Sequence, residues 1–395
     1  MSRATAGERI DQKASTHFTF DANAAGDQPL RVMASVGVCV IIPMVTSGVG
    51  TAMGRSANGS GLIRLLGSIF VAYGVLFSAG VAQPLDRVTF ATNWVAQAEH
   101  GGFYQAVVDG TYKAHGLDVT IRPGGPNVNH RLLLASGRVD FAMTGNSLQS
   151  FEAVAQGVPT VAVAAIFQKD PQVLIAHPRR DIDRFEDLKG LTLYISKEGL
   201  ASFFQWMKHD FGFSERQVRP YTFNPQPFLA DKRSAMQGYV TSEPFAIESQ
   251  AGFKPKLFLL ADQGFDAYST LIETRHDVIE TSPDLVQRFV DASIIGWMNY
   301  LYGDNSEANA RIRRDNPEMT DAAIAYSIAQ MKAFGIVDSG DTGKLGIGAM
   351  TDARMRAFFE RMSRAGVVRA DLDYRRSYTT RFVNRGIGNE LRPSR

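Results

Sequence analysis

Residues 92–106 read TNWVAQAEHGGFYQA: a strand end closing on an Asn-Trp pair, then His100 and two glycines. The apolar run 88–91 leads into it, and Phe103, Ala106 and Val107 follow at helical spacing, so the stretch predicts a strand, a loop carrying an aromatic ring, and a helix. Open α/β sheets bind small molecules at such places, where a strand ends facing a helix start. Asn93 and Trp94 are therefore the first candidate ligand contacts, Trp94 offering a flat face to a planar ring. The competing reading makes Trp94 a lid on the core. His100, just before Gly101-Gly102, is either a ligand contact or a helix cap.

Outward from this run the chain alternates. A strand at 87–91, a helix at 102–115 ended by Gly116 and a strand at 118–121 make a βαβ opening. A Gly-Pro loop at 123–126, a helix at 128–136, a strand at 140–143 and a helix at 147–156 follow, then strands at 161–167 and 173–176. From 185 to 261 the pattern starts again, with strands at 192–195, 218–222, 238–241 and 256–260, helices at 202–211 and 228–236, and a turn at Glu243-Pro244. This reads as a second, inserted α/β domain. From Ser282-Pro283 onward the spacing predicts helices at 284–302, 306–315, 320–334 and 351–365. The expected boundaries are 83–178 with 273–395 for lobe I and 179–272 for lobe II.

Polar groups gather at the other predicted strand ends. Thr144, Gly145, Asn146 and Ser147 follow the strand at 140–143; Ser196 follows the one at 192–195; Thr241, Ser242 and Glu243 follow the one at 238–241. If two domains face each other, these groups converge with Asn93, Trp94 and His100. Thr144 to Ser147 can cap the next helix, and exposed N–H groups at a helix start also bind polar ligand atoms. Glu243 can accept hydrogen bonds from ring amino groups, or it is an ordinary loop carboxylate. Tyr104, Phe103 and Tyr239 read as core or cleft wall.

The composition bounds the function classes. Net charge is +2, charged residues are 21% and aromatics 10%, with no basic run, which excludes a nucleic-acid patch, an acidic tail and long disorder. The seven histidines lack metal-ligand spacing and Cys39 stands alone, so no metal site and no disulfide are expected. Gly343-Lys344 is followed by Leu345, so there is no phosphate-binding loop of the Walker type, and no G-x-S-x-G elbow occurs. Arg55 and Arg64 precede the apolar stretch 65–79, and small residues flank Val81, the outline of a secretory signal at 53–82. Met53 is the expected start, with 1–52 an over-extended N-terminus; the short apolar run 36–49, interrupted by Pro43, is the weaker anchor reading. The remaining stretch of about 310 residues suffices for two lobes in an exported, periplasmic monomer held by packing alone.

The segments NWVAQAEHGGFYQA, GTYKAHGLDVTI, SGRVDFAMTGN and QGYVTSEPF together resemble the solute-binding family that groups sulfonate binders with thiamine-pyrimidine-synthase-like proteins. The likeness runs from about residue 88 to 382. It implies a type II periplasmic-binding-protein fold, two α/β lobes with a hinge and a helical C-terminal section, serving an ABC permease in the inner membrane and needing no cofactor. Asn93, Trp94 and His100 are most similar to the branch that binds pyrimidine precursors of thiamine; sulfonate, taurine and nitrate binders share the fold. The family also holds synthases that consume a histidine of their own with lysine-bound pyridoxal phosphate. Where those enzymes carry the lysine and that histidine, this chain has Thr144 and Leu148; their cysteine cluster falls on DAYSTLIET and their glycine-rich loop on SKEGLA. The resemblance therefore implies a binder of a small planar heterocycle, and the strand-end residues Asn93, Trp94, His100, Thr144, Asn146, Ser196 and Glu243 are its expected contacts.

Overall fold

A computed structural model describes residues 84–125 and 128–393. The signal and the segment 1–52 lie outside the described residues. Two five-stranded sheets organise the rest. In the first, β1 (Asp86–Ala91) lies between β2 (Leu117–Arg122) and β3 (Phe141–Asn146), parallel to both. Beyond β3 comes β10 (Ser269–Arg275), antiparallel to it and to the edge strand β4 (Thr160–Phe167). The second sheet runs β7 (Val218–Pro220), β6 (Thr192–Ile195), β8 (Ser234–Tyr239), β5 (Gln172–Ala176) and β9 (Lys256–Leu259). Here β6 is parallel to β7 and β8, and β5 is antiparallel to β8 and β9.

The chain thus crosses between sheets twice, after Phe167 and before Ser269. Strand β5, expected in lobe I, pairs in the second sheet. Strand β10 was not anticipated, although it is the antiparallel return on which the first sheet closes.

The sequence explains the layers. All eight residues of β4, TVAVAAIF, are buried, a pattern that needs both faces covered. Its outer edge is covered too. Ala165 N donates to Gly348 O at 3.0 Å and Thr379 N to Ala162 O at 2.9 Å, so the C-terminal segment shields an edge that would otherwise invite another strand. Helices α1 (Gly101–Val108), α2 (Ser147–Ala155), α5 (Pro283–Tyr302), α6 (Ser306–Asp315), α7 (Asp321–Ala333) and α8 (Asp352–Arg364) accompany the first sheet; α3 (Phe203–Phe211) and α4 (Glu243–Ala251) belong to the second segment. Phe289 of α5 stacks on Phe141 at a centroid distance of 4.1 Å, and on Tyr112 at 5.4 Å, pinning α5 to the strands. The paired glycines of the opening motif serve this packing. A Cβ on Gly102 would stand 2.2 Å from the Trp297 ring, and one on Gly296 2.3 Å from Gly102 O, so only hydrogen fits where α1 and α5 cross.

Three local expectations change. The helix expected at 102–115 breaks at Gly110, whose φ of 79° ends one helix before a short second turn, Thr111–Ala114. The helix expected at 228–236 is a single turn, Gln226–Ala230, and Ser234 to Met236 pass into β8, buried between β5 and β6. Glu243-Pro244 is no turn: proline in the first turn opens α4, where a missing N–H costs nothing.

Candidate ligand cleft

The strands deliver their carboxyl ends to one cavity of about 780 Å³, within the size range of small-molecule sites. Asn93 and Trp94 reach it past β1, Asn146 at the end of β3, Ser196 past β6, and Tyr239 and Glu243 past β8. Both sheets therefore contribute walls, in keeping with the rule that open α/β sheets bind outside their strand C-termini.

Trp94 is held by its backbone. Its carbonyl accepts from Gly124 N at 3.0 Å and from Thr92 Oγ1 at 2.8 Å. A Cβ on Gly124 would lie 2.3 Å from Thr92 O, so this glycine permits the close approach of the two loops. The indole itself is 36% exposed and faces Phe223, 62% exposed, with ring centroids 6.3 Å apart and planes at 40°. Tyr221 adds a third ring, 5.4 Å from Phe223. Phe223 holds a φ of 62°, a left-handed conformation that a bulky residue rarely adopts. Strain of that kind concentrates at ligand sites. Two rings from different sheet segments thus frame the mouth of the cleft.

Of the sequence candidates, Asn93, Trp94, Asn146, Ser196 and Glu243 line the cavity. His100 does not. It caps α1, fully buried, with neither ring nitrogen hydrogen-bonded, and burial pulls its pKa down to about 3. It is a neutral core histidine. Thr144 is also behind the wall: it lies within β3, 1% exposed, donating to Gln149 Oε1 at 2.9 Å and accepting from Arg131 at 3.2 Å. Strand β3 runs three residues further than expected, which turns a presumed cap into a core position.

Polar residues in the wall are already organised. Asn146 Oδ1 caps α2 by accepting from Leu148 N, and its Nδ2 donates to Asp170 Oδ2 at 2.8 Å. Ser196 Oγ accepts from Gly199 N at 3.1 Å. Glu243 Oε2 accepts from Tyr239 N at 2.7 Å and from Ser242 Oγ at 2.5 Å. Asn93 Oδ1 is buried and has no partner. That leaves one acceptor unsatisfied just behind the cleft surface, which a ligand donor could reach only if the Asn93 side chain turned toward the cavity.

Sequence reasoning missed Glu99, Asp170 and Phe223. Glu99, 4% exposed, accepts from Thr241 Oγ1, and burial, with a smaller push from the Glu243 charge, raises its pKa to about 7. Asp170 sits on the first crossover, where burial likewise pushes its carboxyl above the usual range. A signal for Phe223 was available: it stands directly before Asn224-Pro225, and an aromatic residue entering a turn is less often core than one within a strand.

Comparisons with known proteins agree with this architecture. The riboflavin-binding protein RibY of Chloroflexus aurantiacus is 25% identical over 315 residues, covering 77% of this chain and 88% of that protein. The formylaminopyrimidine-binding protein of Halalkalibacterium halodurans is 24% identical over 261 residues, 62% of this chain and 78% of its own length. The 4-amino-5-hydroxymethyl-2-methylpyrimidine phosphate synthase of Schizosaccharomyces pombe is 28% identical, over only 116 residues, 29% of this chain and 33% of that protein. Among solved structures, the periplasmic aliphatic sulphonate binding protein SsuA of Escherichia coli superposes with a TM-score of 0.56 at 12% identity, covering 74% of this chain and 91% of that one. At such identity the superposition speaks for the fold alone, a periplasmic-binding-protein fold. The family described as NMT1/THI5 like matches residues 97–308, and the chain belongs to that family.

Proposed function

We propose that this chain is the periplasmic receptor of an ABC importer and that it captures a small planar nitrogen heterocycle in the cleft. The observation that carries this reading is the Trp94 platform, held by its backbone and faced by Phe223 across the mouth. A ring lying between two aromatic faces needs about 7 Å, two stacking distances of ~3.5 Å. The two rings stand with centroids 6.3 Å apart and planes at 40°, so the ligand enters as the loops separate and the rings turn toward parallel. Asn93 and Glu243 then read the ring's edge, with Asn146 and Ser196 forming the polar wall on either side. The segments carrying the first sheet, up to Phe167 and from Ser269 onward, act as one lobe and the segment carrying the second sheet, from Gln172 to Leu259, as the other, closing about the two crossovers. The output is a closed shape that a permease recognises; no bond is made or broken. Pyrimidines and isoalloxazines both satisfy the geometry, and the two binding-protein relatives that align over most of their own length are named for such rings.

A synthase reading fits poorly. Among the described residues no lysine lines the cleft to hold pyridoxal phosphate, and the likeness to the fission-yeast synthase covers a third of that enzyme. Titration of the protein with riboflavin and with 4-amino-5-hydroxymethyl-2-methylpyrimidine, followed by tryptophan fluorescence, tests the proposal. Trp94 lines the cleft, and Trp206 and Trp297 each lie one ring behind its wall, against Phe265 and Phe167, so quenching reports occupancy of the cleft. Saturable quenching by either ring is expected; its absence for every planar heterocycle, with binding of an aliphatic solute, would overturn the proposal.

A further inference from the structure

The charge of the cleft carries a second step, which rests on the cleft being the ligand site. Four carboxyl side chains, Glu99, Asp170, Glu198 and Glu243, face into it, and among the described residues its wall has no lysine and no arginine. Its histidine, His130, is held neutral by burial, with Arg131 beside it, at a pKa of about 4.

Helix starts, which often receive sulfonates and phosphates, offer no vacancy here. Asn146 Oδ1 takes Leu148 N at 3.1 Å in the first turn of α2. Glu243 puts a carboxylate into the first turn of α4, and Ser196 Oγ fills the start of the short helix Lys197–Ala201. The unsatisfied wall atom is an acceptor, Asn93 Oδ1.

From this arrangement we infer that the cleft selects an uncharged or cationic ligand presenting N–H or O–H donors, and turns away phosphorylated and sulfonated solutes. An anionic group brought into this cavity meets the Glu198 and Glu243 carboxylates and no compensating lysine or arginine, while burial favours the neutral form of Glu99 and Asp170. Like charges in a partly desolvated cleft cost enough at contact distance for at least about a tenfold loss of affinity. Donors on a ring edge, by contrast, find the Glu243 carboxylate in the cleft wall. The receptor would accordingly take the free form of a heterocycle and leave phosphorylation to a step after uptake.

Calorimetric titration at low ionic strength decides this, with riboflavin, riboflavin 5′-phosphate, 4-amino-5-hydroxymethyl-2-methylpyrimidine, its phosphate, methanesulfonate and putrescine as probes. The expected result is that a free ring binds at least about tenfold more tightly than its phosphate, that methanesulfonate gives no heat, and that Glu243→Gln narrows the gap. Glu198→Gln, at an exposed position, serves as a second variant should the first disturb α4. A phosphate or sulfonate bound as tightly as the free ring overturns the inference. Binding of putrescine alone leaves the charge selection standing and removes the planar-ring reading, so the two claims fail separately.

Discussion

Truncating Trp94 to alanine is the perturbation with the clearest expected size. The indole is 36% exposed at the cleft mouth, and its backbone is fixed by bonds that the substitution leaves intact. A planar ligand lying on one face would withdraw roughly 80 Å² of apolar indole surface from water, worth about 2 kcal/mol at ~25 cal/mol per Å². An offset ring pair adds about 0.5–1.5 kcal/mol. The sum corresponds to a loss of roughly 70- to 400-fold in affinity. Stability should change little, because the ring contributes to no buried cluster, and the thermal midpoint is the control. Isothermal titration of wild type and Trp94→Ala with the same heterocycle gives the ratio. A Kd within about threefold of wild type, at an unchanged midpoint, would refute the stacking role, since ~0.7 kcal/mol is less than the apolar term alone.

Other consequences are as specific. Phe223→Gly should relieve the left-handed φ of 62°, holding or raising the melting temperature while weakening ligand about tenfold or more; lower stability with unchanged affinity would mean the ring serves the fold. Gly296→Ala forces a Cβ to 2.3 Å from Gly102 O and should destabilise by about 1–3 kcal/mol or more in chemical denaturation, without altering ligand preference. Glu99 sets a pH dependence, because its native pKa of about 7 lies above its ordinary 4.5. Between those values the unfolded chain has released the proton and the native state has not, so stability falls as pH rises, by roughly 3 kcal/mol at most. The neighbours it faces, Thr241, Glu243, Tyr239 and Tyr300, include no cation to offset this. His100 runs the other way, its pKa falling from 6.5 to about 3, so the two slopes oppose each other between pH 4.5 and 6.5. Glu99→Gln should therefore raise the melting temperature by a few degrees at pH 8 and leave it nearly unchanged at pH 4; equal melting temperatures at pH 8 would count against the buried carboxyl.

What the sequence made legible was local. Strand ends marked by Asn93-Trp94, Asn146, Ser196 and Glu243 do meet in one cavity, because alternating α/β segments send strand C-termini to the same side. Long-range pairing left less trace. Strand β10, STLIETR, is buried with polar residues inside it, Glu273 accepting from Ser150 Oγ at 2.6 Å, so neither alternation nor an apolar run announces it. Glu99 and Thr241 meet across 142 positions, and nothing adjacent to either residue signals the contact. His100 looked like a site residue because it stands at a helix start beside the strand end and completes the family-like pattern with Asn93 and Trp94. Its glycines turned out to admit the Trp297 and Tyr300 rings, and the same close packing excludes the imidazole from the cleft.

The claim that the cleft receives a free planar heterocycle is tested most directly by mass spectrometry of small molecules released from natively purified protein. The account predicts a stoichiometric, unphosphorylated nitrogen heterocycle, lost from the Trp94→Ala protein. A stoichiometric aliphatic sulfonate, or pyridoxal phosphate, would contradict it.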